Sequence, residues 1–113
     1  MKHTPFKPDQ DYAPLPFTDR LCQESMKLKS SGLPWIPHVG CFVWDPLGVI
    51  QEKSPFPNRV YFILNLGHFI RRFGDAETLT EKAVWLPTLY QIKALEETLP
   101  QLDFEPAKQC YEI

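Results

Sequence analysis

Residues 59–73 read RVYFILNLGHFIRRF, and this stretch is predicted to form the central element of the fold. At about 100° per residue, the apolar side chains of this stretch cover one broad arc of a helix. A helix that is apolar over more than half of its circumference normally lies in the core, with one polar edge. The sequence therefore predicts a central helix over residues 58–73. Its polar edge is a stripe formed by Tyr61, Asn65, His68 and Arg72.

Upstream of the central helix, residues 33–46 read LPWIPHVGCFVWDP. The prolines exclude a continuous helix here, whereas the β-branched and aromatic residues favour a strand. Residues 45–48 read DPLG, which is typical of a turn with proline in its second position. We therefore expect a β-hairpin near residues 39–51. The loop that follows it offers Ser54 or Asn58 as the N-cap of the central helix.

The rest of the chain divides into shorter elements bounded by caps, glycines and prolines. The predicted elements are a first helix from Thr18 to about Ser30, a polar helical segment over 75–82, an extended piece over 83–86, a last helix that begins at Pro87 and stops at Pro100, and a possible edge strand over 110–113.

These elements predict an α+β fold. A small antiparallel sheet, with the hairpin near 39–51 and the possible C-terminal strand, packs against about three helices, the central one being 58–73. Residues 1–17 contain four prolines and little periodicity, so they are predicted to form an extended arm. Residues 18–113 are then expected to form a single globular domain.

Composition narrows the class of protein. The chain has 113 residues and a formal net charge of −2, so it lacks the basic surplus that a nucleic-acid partner requires. The central apolar run is too short and too charged to span a bilayer, which predicts no membrane partner. An odd number of cysteines and an N-terminus without an apolar signal segment indicate reduced thiols in a soluble, cytoplasmic protein.

The polar stripe is the first candidate for a site. Tyr61, Asn65, His68 and Arg72, joined by His38 from the predicted hairpin, offer groups that could hold a polar or anionic ligand. A rigid helix would hold these side chains in fixed positions. The alternative interpretation is that the stripe is only the solvated edge of an amphipathic helix.

Cysteine and histidine side chains raise the question of metal binding or nucleophilic catalysis. Zinc binds both residue types. His38 and Cys41 form one HxxC pair, but the sequence has no second pair to complete a site, because His68 and Cys110 are far apart in the chain. Cys41, with His38 or His68 as a base, lies in an apolar strand that favours an inert core thiol. The sequence therefore predicts no metal, no cofactor and no catalytic residue.

Three tryptophans, Trp35, Trp44 and Trp85, lie beside prolines or one residue away from them. Tryptophan is enriched at binding hot spots, so these residues are candidates for an interaction surface. The alternative is that they fill the core of a small domain.

Two classes of function remain. The favoured prediction is a non-catalytic protein–protein interaction or regulatory module, working as a homodimer or with another protein. The alternative is a small-molecule-binding protein or simple enzyme, with its site between the central helix and the 34–46 strand. That site would use His38, His68 and Arg72, with Cys41 or Asp45.

Overall fold

The computed structural model describes residues 15–112. Within this range, a three-stranded antiparallel sheet packs with five α-helices, so the predicted α+β class is confirmed. In chain order the elements are α1 (Asp19–Ser30), β1 (Phe42–Trp44), a 3-10 turn (Pro57–Arg59), β2 (Val60–Phe62), α2 (Leu66–Phe73), α3 (Ala76–Lys82), β3 (Val84–Leu86), α4 (Leu89–Thr98) and α5 (Glu105–Gln109).

Strand β1 is the centre of the sheet, because it pairs with β2 on one side and with β3 on the other. Both pairings are antiparallel. Val43 of β1 lies opposite Tyr61 of β2 and Trp85 of β3, and these three side chains share one face of the sheet. Phe42 and its two partners point to the opposite face.

Apolar side chains cover both faces of the sheet. The face of Val43 belongs to the main core, which joins the sheet to α2, α3, α4 and α5 through side chains that include Phe69, Leu79, Ile92 and Phe104. The face of Phe42 belongs to a smaller cluster that includes Leu21 of α1. In this smaller cluster the rings of Phe17 and Phe56 stack with their centroids 4.7 Å apart.

The predicted arm over residues 1–17 falls mostly outside the described range. Its last residues are described: Leu15 is buried and Phe17 packs against the smaller cluster. The division into an arm and a domain of residues 18–113 stays a prediction.

The prediction of a central helix over residues 58–73 is wrong for the first half of that range. Asn58 and Arg59 adopt left-handed backbone conformations, with φ of 60° and 62°, and such residues interrupt a right-handed helix. Val60–Phe62 then forms β2. A short apolar run fits a helix and a buried strand equally well by its period. Hydrogen bonding to β1 stabilises the strand in preference to the helix.

The second half of the prediction is helical, but the helix begins later than expected. The Asn65 side chain accepts a hydrogen bond from the backbone N–H of His68 at 2.9 Å, which makes Asn65 the N-cap of α2. The predicted caps Ser54 and Asn58 therefore do not start a helix. Gly74 ends α2 with a φ of 101°, as its place in the sequence predicts.

The turn at residues 45–48 is present, but the return strand that would complete a hairpin over 39–51 is not formed. The carboxylate of Asp45 is fully buried and accepts hydrogen bonds from the backbone N–H groups of Val49, at 3.1 Å, and Ile50, at 2.8 Å. These two donors are consequently not free to pair with β1. Strand β1 pairs with β2 and β3 instead.

The possible C-terminal strand over residues 110–113 is also wrong for the described residues 110–112. Helix α5 continues into a turn, in which the N–H of Cys110 donates to the carbonyl of Ala107 at 3.1 Å. Phe104 and Ala107 are both buried, and a spacing of three residues places them on one face of a helix. Burial of this pair in the main core favours a helix over an edge strand.

Other elements lie where the sequence predicts them. Thr18 caps α1 by accepting a hydrogen bond from the N–H of Leu21 at 3.2 Å. Helix α3 and strand β3 occupy the segments predicted as helical and extended. Helix α4, predicted to begin at Pro87, begins two residues later than expected, because Thr88 and Gln91 form a capping box at its N-terminus.

Candidate functional site

The four residues of the polar stripe line one surface cavity. Tyr61 lies on β2, Asn65 is the N-cap of α2, and His68 and Arg72 lie within α2. This cavity, here called the His68 pocket, has a volume of about 220 Å³. It is lined by Ile50, Glu52, Lys53, Tyr61, Phe62, Leu64, Asn65, His68, Phe69 and Arg72.

Polar groups of the His68 pocket already bind one another. Arg72 forms an ion pair with Glu52 and donates to Nε2 of His68 at 2.5 Å. The hydroxyl of Tyr61 donates to the backbone carbonyl of Glu52 at 2.6 Å. Asn65 uses its side-chain oxygen as the cap of α2. A ligand in this pocket would have to compete with these contacts, which hold the segment around residue 52 against α2.

The fifth predicted ligand-binding residue, His38, does not join the other four. Its Nδ1 lies 2.7 Å from the carbonyl oxygen of Val39, and His38 lines neither the His68 pocket nor the second cavity described below. Neither of these two cavities is bounded by both α2 and residues 34–46, where the sequence places a ligand site. The role of the five residues in ligand binding stays a prediction.

The cysteines are poorly placed for chemistry. Cys22 and Cys41 are buried, and burial, with the nearby charge of Asp19, raises the pKa of the Cys22 thiol to about 11. Burial also raises the pKa of Cys110. Over the described part of the chain, no three His, Cys, Asp or Glu side chains come together in a way that could hold a metal ion. Nor is any helix there long and apolar enough to cross a bilayer.

A second cavity lies where α1, the segment before β1, the end of α3 and β3 meet. We call it the indole pocket, and its volume is about 160 Å³. Its walls are formed by Ser25, Lys29, Leu33, Trp35, Thr80, Ala83 and Trp85.

Three buried polar atoms of the indole pocket have no hydrogen-bond partner among residues 15–112. They are the hydroxyl oxygen of Ser25 and the indole nitrogens of Trp35 and Trp85. The residues Ser25 and Trp85 are only 1% and 3% exposed. A buried donor without a partner costs about 1–3 kcal/mol, and native proteins leave few of them. All three residues line the same cavity, which distinguishes it from the other cavities formed by residues 15–112.

Lys29 adds a positive charge to the same wall. Its ammonium group donates to the backbone carbonyls of Glu81, at 2.5 Å, and Ala83, at 2.8 Å, so α1 is fastened to the end of α3. Burial lowers the pKa of Lys29, and the charge of Glu81 offsets part of this effect. An ammonium group has three donors, which leaves one for an occupant of the pocket.

The three tryptophans predicted as an interaction surface do not lie on one side of the sheet. Trp35 and Trp85 line the indole pocket and pack with the main core, while Trp44 packs with the smaller cluster. Because Trp85 is almost fully buried, a protein partner could contact little of it. Trp35 and Trp44 are half-buried, and their part in a protein interface stays a prediction.

Sequence reasoning missed Ser25 and Lys29 altogether, and it considered the tryptophans as ring surfaces rather than as donors. One signal for Ser25 was present. It lies between Leu21 and Leu28 on the apolar face of α1, where a hydroxyl needs a partner. The meeting of α1 with β3 could not be read from local pattern, since more than fifty residues separate them.

Comparisons with models of known protein families, with curated proteins and with solved structures found no match.

Proposed function

We propose that this protein binds a small molecule in the indole pocket. The observation that supports this function is that the three residues carrying an unpaired buried polar atom, Ser25, Trp35 and Trp85, all line one cavity. Their combined cost is several kcal/mol, a large part of the 5–15 kcal/mol by which a domain is stable. Such departures from full hydrogen bonding are expected mainly at functional sites.

The indole N–H protons provide a direct test by NMR, because each tryptophan gives one resolved signal. We expect a small polar ligand, found by screening fragments of up to about eight non-hydrogen atoms, to shift the signals of Trp35 and Trp85. The signal of Trp44, which lies outside the pocket, serves as the internal control. Trp85→Phe keeps an aromatic ring but removes one donor, so it should weaken binding about tenfold.

Trp44→Phe is the matched control variant and should leave the affinity unchanged. A screen in which no fragment moves Trp35 or Trp85 at millimolar concentration would count against the proposal.

A protein–protein interaction role is the second proposed function, and a specific surface favours it. Leu64 is 78% exposed and Val39 50% exposed. The two residues are neighbours in space, since the N–H of Gly40 donates to the carbonyl of Ile63 at 2.9 Å. Exposed apolar side chains that form a patch are typical of interaction sites. We propose that this patch is the contact of a homodimer.

Sedimentation over a range of protein concentrations tests the dimer. We expect a monomer–dimer equilibrium that Leu64→Gln shifts toward the monomer, because a polar amide would then be buried in the contact. Leu47→Gln is the matched control: Leu47 is 67% exposed but lies in the turn at the other end of β1. A wild-type protein that stays monomeric at every concentration would contradict the proposal.

A further inference from the structure

The donors in the indole pocket limit what its occupant can be. An indole N–H donates and cannot accept, and the same is true of the Lys29 ammonium group. The two hydroxyl groups in the wall can either donate or accept. No Asp, Glu, Asn, Gln or His lines the cavity. The complementary ligand group is therefore one that offers several acceptor lone pairs and needs to donate nothing.

Charge narrows the choice further. Lys29 forms no ion pair with a carboxylate of residues 15–112; its two hydrogen bonds go to neutral carbonyl groups, and the charge of Glu81 acts on it only from a distance. Hydrogen bonds between an ammonium group and an anion are roughly twice as strong as bonds between neutral groups. An anionic acceptor in the cavity would thus bind Lys29 in preference to a neutral one.

The volume of the indole pocket and its lining residues indicate the size and polarity of the rest of the ligand. A cavity of about 150 Å³ in another protein is known to hold benzene, so the 160 Å³ of the indole pocket corresponds to roughly six non-hydrogen atoms. Leu33, Ala83 and the tryptophan rings make part of the wall apolar. This combination fits a charged group at one end and a short hydrocarbon tail at the other.

From these observations we infer that the indole pocket binds a small monocarboxylate with a short apolar tail. The inference rests on the proposed function, because it assigns a chemical class to the ligand of the same pocket. The carboxylate would bind Lys29 Nζ, and Ser25, Trp35 and Trp85 would form the cavity wall around it.

Three probes of equal size test the assignment: butanoate, butanamide and pentan-1-ol, each with six non-hydrogen atoms. At pH 7 butanoate is ionised, while the other two are neutral. We expect butanoate to shift the indole signals of Trp35 and Trp85 without shifting Trp44, and to bind at least about tenfold more tightly than butanamide. Lys29→Met should remove most of this preference.

Lys27→Met is the control, because Lys27 lies on the same helix with its side chain 73% exposed and its loss changes the net charge equally. Equal binding of butanoate and butanamide would overturn the carboxylate assignment and leave the ligand-binding function standing. If none of the three probes nor any screened fragment moves Trp35 or Trp85, both proposals are wrong. The probe comparison uses the unmodified protein, so it decides the question even where Lys29→Met fails to fold.

Discussion

Asp45→Ala is expected to lower the free energy of unfolding by about 3–5 kcal/mol. The Asp45 carboxylate is fully buried and accepts the N–H groups of Val49 and Ile50, and hydrogen bonds to a charged group contribute about 1.5–3 kcal/mol each. Arg59 lies beside it, with Nη2 3.7 Å from the carboxylate. Removing the carboxylate leaves the buried N–H of Ile50 and the partly buried N–H of Val49 without their acceptor, and it takes a nearby negative charge from the half-exposed Arg59. Urea denaturation followed by circular dichroism measures the change.

Asp103→Ala provides the comparison for Asp45. The Asp103 carboxylate also accepts a backbone hydrogen bond, from the N–H of Glu105 at 3.1 Å, but it is exposed and water can replace it. We therefore expect a much smaller loss of stability. Equal midpoints for the two variants would show that Asp45 does not hold the turn in the way described.

Phe104→Ala is expected to destabilise the domain by a similar amount, about 3–5 kcal/mol. Phe104 is 2% exposed and lies in the main core with Ile92 and Leu95 of α4. Truncating a buried phenylalanine removes its transfer free energy and leaves a cavity. The result tests the packing of the C-terminal segment, because Phe104 immediately precedes α5 and fixes its start against the main core.

Leu102→Ala is the control for Phe104, since Leu102 is only partly buried against the same core. Its loss should be clearly smaller when both variants are unfolded in urea under the same conditions. A change below about 0.5 kcal/mol for Phe104→Ala, the range of ordinary surface substitutions, is incompatible with the packing of α5.

Local patterns predicted those parts of the fold that local interactions determine. Helix α1 was predictable because Thr18 caps it, and β3 because Val84 is β-branched and Trp85 is aromatic. Each of the two large errors has its own physical cause. At residues 58–73 the left-handed conformations of Asn58 and Arg59 divide an apolar run whose period alone fits a helix. At Asp45 one side chain takes the donors that a hairpin needs.

The candidate sites show a similar division. The stripe of Tyr61, Asn65, His68 and Arg72 was predicted from a helical period, and the structure brings the four residues to one cavity even though one of them is on a strand. The indole pocket depends on contacts between distant segments and on which donors find partners. Neither property is contained in the period of a single segment, so Ser25 and Lys29 were not predicted.

The walls of the indole pocket come from α1, the segment before β1, the end of α3 and β3, and this has a thermodynamic consequence. Such a pocket exists only while the segments that build the domain are assembled, so an occupant binds the native state and not the unfolded chain. By mass action, a ligand at 100 times its dissociation constant would add about 2.7 kcal/mol to the stability of the whole domain. Occupancy of one small cavity would thereby control how long the folded protein persists.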